Sequence, residues 1–510
     1  MDDDATPSHE RLTPRQQKLA GIVLSLTNLM VVLDLTIANV SVPHIAGNLG
    51  ITPDQGTWVI TSYAVAEAIC VPLTGWLTQR FGAVKLYTMC MAGFGIFSLL
   101  CGLSTTLGML VACRIGQGLC GGPLMPMSQT LLTRIFPAEQ RTKAMGSWAM
   151  TTLLGPALGP IVGGQISDNW SWHWIFFINV PIAILCLSAS LALLRPVDTI
   201  PEKRPIDRVG LCLLIFWIGC LQLMLDLGRD RDWFSDPMIL GLAVLAIIGL
   251  AVFLIWELTE EHPIVDLRVF RHVGYSFGVF TFSLCFGAYF AGIVAIPQWL
   301  QLSMGYTATD AGLATAFTAM SAITMSPISA RLMGKVDPRI MIFCAIIWIA
   351  LMQLLRSTWT SSADFWTLAL PQLLQGFAMP FLMIPMTTLT IGSVNPDETA
   401  SAAGLQNFVR TLAIAIATSL VLTAWSNAQR VSRSELVGSL HSSQAQAQLS
   451  SAGFSPEQIA QMISNLVDQE AMVVALDHIF QVVAVVLVVA SLLIWFSPRP
   501  RRPVDTSAVH

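Results

Sequence analysis

Several ionisable side chains lie inside long apolar stretches, where charge is costly and marks ion or proton paths. Asp34 is the one Asp, Glu, Lys or Arg between Leu19 and Pro53. Arg114 lies seven residues into a stretch that begins at Leu107. At 1.5 Å per helical residue, Asp34 sits about 9 Å inside an outer helix end near Val40, and Arg114 about 10 Å inside its own. The two are therefore depth-matched. Either protonation of Asp34 loosens its attraction to Arg114 and the pair works as a switch, or the pair is a fixed structural one. Glu67 is a further candidate, as a second proton carrier, as a holder of a cationic substrate, or as structure alone. Arg410 either faces a cavity and an anionic substrate or braces the second half of the chain. Asp226 and Glu257 stand near the ends of their stretches and are expected to be solvated flanks.

Other chemistry is thinly represented. Gly116-Gln-Gly118-Leu-Cys-Gly121 has the spacing of a dinucleotide fingerprint but lies in an apolar span with no strand before it. No Gly-x4-Gly-Lys-Ser/Thr phosphate loop and no His-Glu-x-x-His metal motif occurs. These absences argue against an ATP-driven pump or metalloprotease, and no enzyme activity, cofactor or metal is expected. The ten cysteines fall in apolar stretches without a Cys-x-x-Cys pair, so they read as small buried hydrophobes with no disulfide.

The elements that must position these residues follow from composition. Of 510 residues, 54% are hydrophobic and only 11% charged, against about 25% charged in a soluble domain. The lipid bilayer is thus the solvent. A net charge of -4 without a basic block makes nucleic acid an improbable partner. The acidic start lacks the basic end and short apolar core of a cleaved signal. About 20 apolar residues per crossing give fourteen spans, starting near Leu19, Thr57, Leu86, Leu107, Ala144, Trp174, Val209, Pro237, Tyr275, Ala311, Ile340, Phe365, Ser401 and Met472. With the N-terminus inside, twenty of the 27 Lys and Arg fall in inner segments. Only Arg229, Arg231, Arg356, Arg430 and Arg433 fall in outer ones, so both termini are expected in the cytoplasm.

Two halves echo each other. Pro72–Arg80 resembles Pro327–Lys335 at an offset of 255, while Gln117-Gly118 recurs as Gln375-Gly376 and Gly146 as Gly404 at 258. Repeated halves mark secondary transporters, with the substrate site between them near the midplane. The expected organisation is an all-α, pseudo-symmetric 6+2+6 bundle. Its parts are a cytoplasmic tail 1–18, a six-helix bundle 19–195, a linker 196–208, two additional helices 209–257, a linker 258–274, a second six-helix bundle 275–496 and a cytoplasmic tail 497–510. A polar outer loop is expected at 427–470, either as short amphipathic helices or as plain solvated chain.

One string is unusual enough to compare. Gly146, Gly155, Gly159, Pro160, Gly163 and Gly164 lie in an uncharged span that also holds Pro156. Gly and Pro cost roughly 1 and 3 kcal/mol in a soluble helix, whereas glycines four apart give a smooth face for close packing in lipid. The prolines are expected to add a bend. The string resembles the fifth-helix signature of proton-coupled exporters of the major facilitator superfamily. Leu33-Asp34-Leu-Thr36-Ile-Ala-Asn39-Val, Gly75-Trp-Leu-Thr-Gln-Arg80-Phe-Gly82-Ala-Val-Lys85, Arg114-Ile-Gly-Gln117-Gly118 and Trp174-Ile-Phe-Phe-Ile-Asn179-Val-Pro181 extend the likeness over the whole chain. It resembles the fourteen-span drug/proton antiporter family with the major facilitator fold.

That resemblance implies efflux of varied hydrophobic drugs and toxic compounds across the inner (cytoplasmic) membrane in exchange for protons, driven by the proton gradient without a cofactor. A dedicated exporter of one fatty acid or secreted metabolite is the alternative. The resemblance implies proton coupling at Asp34, Arg114 and Glu67 and a substrate cavity at Asn39, Gln117 and Arg410. Gating falls to Gly75, Arg80, Gly82 and Lys85 and to the glycine-proline string. Family members usually carry an acid where this chain has Gln79, so an inner gate on that charge is not expected, although Arg80 and Lys85 can still meet acidic helix ends. A periplasmic adaptor and an outer-membrane channel are the implied partners, with 427–470 as the contact.

Overall fold

The computed structural model describes residues 12–199, 201, 205–228, 231–333, 335–395, 398–439 and 455–497. Its α-helices are α1 (Pro14–Leu49), α2 (Pro53–Cys70), α3 (Thr74–Phe81), α4 (Ala83–Gly102), α5 (Leu107–Ile135), α6 (Ala138–Asn169), α7 (Trp174–Phe177), α8 (Asn179–Leu193), α9 (Arg208–Gly228), α10 (Pro237–Thr259), α11 (Val273–Ser303), α12 (Ala308–Leu332), α13 (Pro338–Arg356), α14 (Phe365–Ile391), α15 (Thr399–Ser439) and α16 (Pro456–Leu493). No strand occurs among the described residues. A buried backbone in lipid must satisfy itself, and helices do so within one segment.

Eleven helical units are long and apolar enough to cross a membrane, twelve with α2 and α3, which meet at a 61° bend, taken as one span. The protein is a multi-pass membrane protein. The count of fourteen needs α5 and α6 as well. At 29 and 32 residues both are long enough to cross.

The two halves pack by one scheme. In the first, α1 lies on α6, α2 on α5, and α4 on α5 and α8; in the second, α11 lies on α15, α12 on α14, and α13 on α14 and α16. The halves meet through α6 with α12 and α5 with α15. Helices α9 and α10 form a hairpin docked on α2 and α15, where Trp217, Ile218 and Phe253 pack against Ala68, Val71, Leu405 and Phe408.

The glycine string sets the closest of these contacts. A Cβ at Gly155 or Gly159 would come within 3.1 Å of the α1 backbone carbons at Val32 and Thr36, and one at Gly163 within 3.0 Å of Ile37 O. The Thr36 hydroxyl donates to Gly155 O at 3.1 Å, and Gly164 is buried in the same helix. Helix α6 stays continuous through Pro156 and Pro160. Gly146 faces the other way, toward the Ile384 side chain of α14.

Several expectations are corrected. Helix α1 does not end near Val40: nothing breaks it until Gly50 adopts the left-handed conformation (φ 64°). The segment 427–470 is not a loop at its described ends, since α15 continues to Ser439 and α16 begins at Pro456 behind the Ser455/Gln458 capping box. An Arg433–Asp468 ion pair at 2.8 Å ties the two extensions together. Residues 440–454 lie outside the described part. Arg356, Arg430 and Arg433 belong to helices, and Arg356 is buried. Glu257 is not solvated: its Oε2 accepts from the Val265 backbone N–H at 3.1 Å because the following linker folds back over it. Asp226 is half-buried, accepting from Gln222. All ten cysteines are free, but Cys212 and Cys344 are exposed on the bundle surface, because an apolar stretch has a lipid-facing side as well as a packed one.

Candidate functional site

The first half encloses a polar cluster built by four helices. Helix α1 brings Asp34, α4 brings Ser98, α5 brings Arg114 and Gln117, and α8 brings Asn179; all are buried. Arg114 Nη1 donates to Asp34 Oδ2 at 2.7 Å, with exposures of 1% and 0%, so water does not screen the pair. Asp34 Oδ1 accepts from Gln117 Nε2 at 3.0 Å and from Asn179 Nδ2 at 2.6 Å. Both amides also donate to Ser98 Oγ, at 3.3 and 3.1 Å, and Ser98 donates to Phe176 O at 2.9 Å. Arg114 is held separately: Nε donates to Val59 O at 3.0 Å, Nη1 to Gln117 Oε1 at 2.9 Å, and the guanidinium stands 4.2 Å from the Tyr63 ring centre.

Desolvating two charges is repaid only by close geometry and by bonds that satisfy the remaining lone pairs. Here three donors surround the carboxylate. Neutralising it removes the attraction to Arg114 and leaves a buried guanidinium facing an uncharged group, a state that favours rearrangement or water entry.

Glu67 and Arg410 form a second station. Gly118 and Gly122 let α5 lie close on α2, since a Cβ at Gly122 would come within 2.9 Å of Glu67 O. Glu67 is buried, and Arg410, also buried, lies in its electrostatic field without a direct ion pair between them. The Arg410 guanidinium stands 5.4 Å from the Phe286 ring centre of α11 and contacts the Met125 sulfur of α5. Its Nε and Nη1 have no hydrogen-bond partner among the described residues. Arg410 thus sits where the two halves meet, next to Asn407, which donates to Gln129 of α5 at 2.7 Å. Asn39 lies apart from both stations and is exposed on α1.

Where α3 meets α4, Gly75 packs α3 onto α15, a Cβ there falling 2.9 Å from Ser401 Cα. Gly82 adopts φ 88°, which lets α4 start immediately after α3. The first amides of α4 meet an acid the sequence reading did not single out: Asp198 Oδ1 accepts from Val84 N–H at 2.8 Å, and the Thr199 hydroxyl accepts from Ala83 N–H at 2.8 Å. Arg80 lies over the Trp76 ring at 5.5 Å and Lys85 is exposed. The charge absent at Gln79 is thus answered by an acid on the linker after α8.

Sequence reasoning missed Ser98, Asn179 as a site residue, and Asp198. Asn179 carried a signal, an amide inside an apolar run; Ser98 carried none, since a serine in a membrane helix is ordinary.

A bundle of two like halves with a buried ion pair in one of them is the architecture of a secondary transporter. Residues 24–418 match the model of the Major Facilitator Superfamily, and the chain belongs to that superfamily, whose members are transporters rather than enzymes. It is 43% identical to Multidrug export protein EmrB of Escherichia coli (strain K12) over 95% of this chain and 96% of that one. It is 39% identical to Fatty acid resistance protein FarB of Neisseria gonorrhoeae over 94% and 96% of the two chains. The solved proton:xylose symporter XylE shares the fold, with a TM-score of 0.60 at 14% identity over 95% of this chain and 96% of that one.

Proposed function

We propose that this protein exports hydrophobic, structurally varied drugs and toxic compounds across the cytoplasmic (inner) membrane in exchange for protons, both termini lying in the cytoplasm. The observation that carries the reading is the Asp34–Arg114 pair, fully buried and hydrogen-bonded to Gln117 beside Arg114 and to residues of two other helices, Val59 of α2 and Asn179 of α8. The 43% identity to a multidrug export protein supports the cargo. Proton entry neutralises Asp34, the pair loosens, and the balance between the two open faces shifts; proton release re-forms it. Glu67 and Arg410, buried where the two halves meet, face the cargo during transport, and Glu67 is a second proton carrier. Gly75, Arg80, Gly82, Lys85 and Asp198 hold the inner end, and the α1–α6 glycine seam is the surface along which Asp34 moves. The proton gradient supplies the energy, with no bound cofactor. The outer extensions of α15 and α16 are the contact for a periplasmic adaptor leading to an outer-membrane channel.

Proteoliposomes with an imposed pH gradient test the coupling. The protein should move a fluorescent cationic dye only with the gradient present, and Asp34→Asn should lower the rate at least about tenfold while the protein still inserts and purifies. Dye movement by Asp34→Asn at the unmodified rate would remove Asp34 from the mechanism. Export of one fatty acid or metabolite is the second reading, favoured by the likeness to a fatty acid resistance protein; a cargo screen in an efflux-deficient host separates the two.

A further inference from the structure

Among the described residues, the second half holds a buried cation with no acid beside it. Arg356, at the end of α13, is 1% exposed, and its hydrogen-bond partners are neutral amides: Gln353 Oε1 at 3.0 Å and Gln372 Oε1 at 2.7 Å. Its Nε donates to nothing among the described residues. Gln372 Nε2 is likewise a buried donor without an acceptor. These groups line one small cavity with Gly292, Thr315 and Tyr289, with about 20 Å³ open to the centre of a water molecule and Ile293 and Ile296 as its apolar wall.

The internal repeat explains how the cation lost its acid. At the 258-residue offset that relates Gln117 to Gln375, Ser98 corresponds to Arg356 and Arg114 to Gln372, while the 255-residue offset of the earlier strings places Asp34 at Tyr289, three residues before Gly292 on α11. The cation stands on α4's counterpart rather than α5's, and neither Tyr289 nor Gly292, which line the cavity from α1's counterpart, supplies a carboxylate. A Cβ built on Gly292 meets nothing within 4 Å, so the place an acid would fill is open. An unpaired buried guanidinium is expensive unless a counter-ion visits it. Guanidinium forks and amide N–H groups match a carboxylate in geometry as well as charge.

We propose that this cavity is a binding site for the carboxylate head of an acidic amphiphile, with Arg356 as the anchoring charge, Gln372 as a second donor, and Ile293 and Ile296 against the first methylenes. The proposal names one substrate class for the export reading and rests on that reading for transport, not for binding.

The test measures saturable binding of dodecanoate to the full-length protein in nanodiscs, over empty nanodiscs, with no pH gradient, and with dodecanol as the neutral probe of equal length. Arg356→Gln should weaken dodecanoate binding about 10- to 100-fold, the range expected for a lost charge-assisted bond, and leave dodecanol binding unchanged. Gly292→Asp keeps Arg356 and supplies the missing acid into open space. It should abolish dodecanoate binding while raising, not lowering, the melting temperature. Unchanged dodecanoate affinity in either variant overturns the site, as does an equal loss of both probes in Arg356→Gln. Because no gradient is used, these results are independent of whether the protein couples transport to protons.

Discussion

Asn179 Nδ2 stands 2.6 Å from Asp34 Oδ1, although 145 positions separate the two residues in the chain. Asn179 also bridges to Ser98 at 3.1 Å, so it fixes both the carboxylate and the hydroxyl beside it. Replacing it with Leu removes a donor from a buried carboxylate, which costs about 1–3 kcal/mol. Ser98→Ala removes an acceptor shared by two amides that keep Asp34, and should cost less, about 1 kcal/mol. Thermal unfolding in detergent should rank the melting temperatures as unmodified, Ser98→Ala, then Asn179→Leu; the reverse order of the two variants would contradict the geometry.

Gly159→Val tests the seam between α1 and α6. A Cβ there already falls within 3.1 Å of the Thr36 backbone carbon, so the branched side chain must push the helices apart at a cost of about 1–3 kcal/mol. Gly292→Ala, where an added Cβ meets nothing within 4 Å, is the matched control and should be tolerated. Equal yields and melting temperatures for the two variants would show that the seam is not closely packed.

Asp198→Ala removes a side-chain cap from the first turn of α4 and should cost about 1 kcal/mol, with Asp198→Asn recovering most of it because asparagine caps nearly as well. The same change frees the linker from the inner end of the bundle, so limited proteolysis of unsealed membranes should cut Asp198→Ala faster near residues 195–208. Identical cleavage rates would show that the cap does not hold the linker.

Glu398 gives a pH signature outside the membrane-spanning segments. Burial raises its carboxyl, but hydrogen bonds from His272 at 2.9 Å and the Asn395 backbone, with the Arg271 charge, outweigh this and hold it below the ordinary value of 4.5. A carboxyl lowered by folding adds stability that is present above its unfolded pKa and is lost as pH falls through the folded value. Glu398→Gln should therefore be less stable than the unmodified protein near neutral pH, by at most about 1 kcal/mol for so exposed a set of partners. The gap should close below about pH 4.5. A gap that widens with acid would reverse the sign and exclude this account.

Much of the scaffold was legible because the signals are local. The glycine string needs only one helix to be read, and its partner face follows from spacing four residues apart. The Asp34–Arg114 pair was legible because opposite charges in apolar runs have few places to go; the depth match beside it rested on a helix end near Val40 that the structure moves to Gly50. Burial of Glu257 was not legible, because it depends on a backbone amide eight residues on folding back over the carboxylate. Arg356 looked like a loop residue for a related reason. It ends its helix, and only α14 packing beside it turns that end into an interior. The polar stretch after Asn427 misled by composition, for helices leaving the membrane need no apolar face.

The 61° bend between α2 and α3 has its own consequence. Above it, Glu67 rides on a rod fastened to α5 through Gly118 and Gly122; below it, Gly75 and Arg80 ride on a shorter rod fastened to α15. The elbow at Val71–Leu73 lies against Gly404 of α15, where even a methyl group would press on Val71 O at 3.2 Å. An elbow of this kind gives its two arms separate directions, so the seat of Glu67 on α5 and that of Gly75 on α15 are set independently of each other.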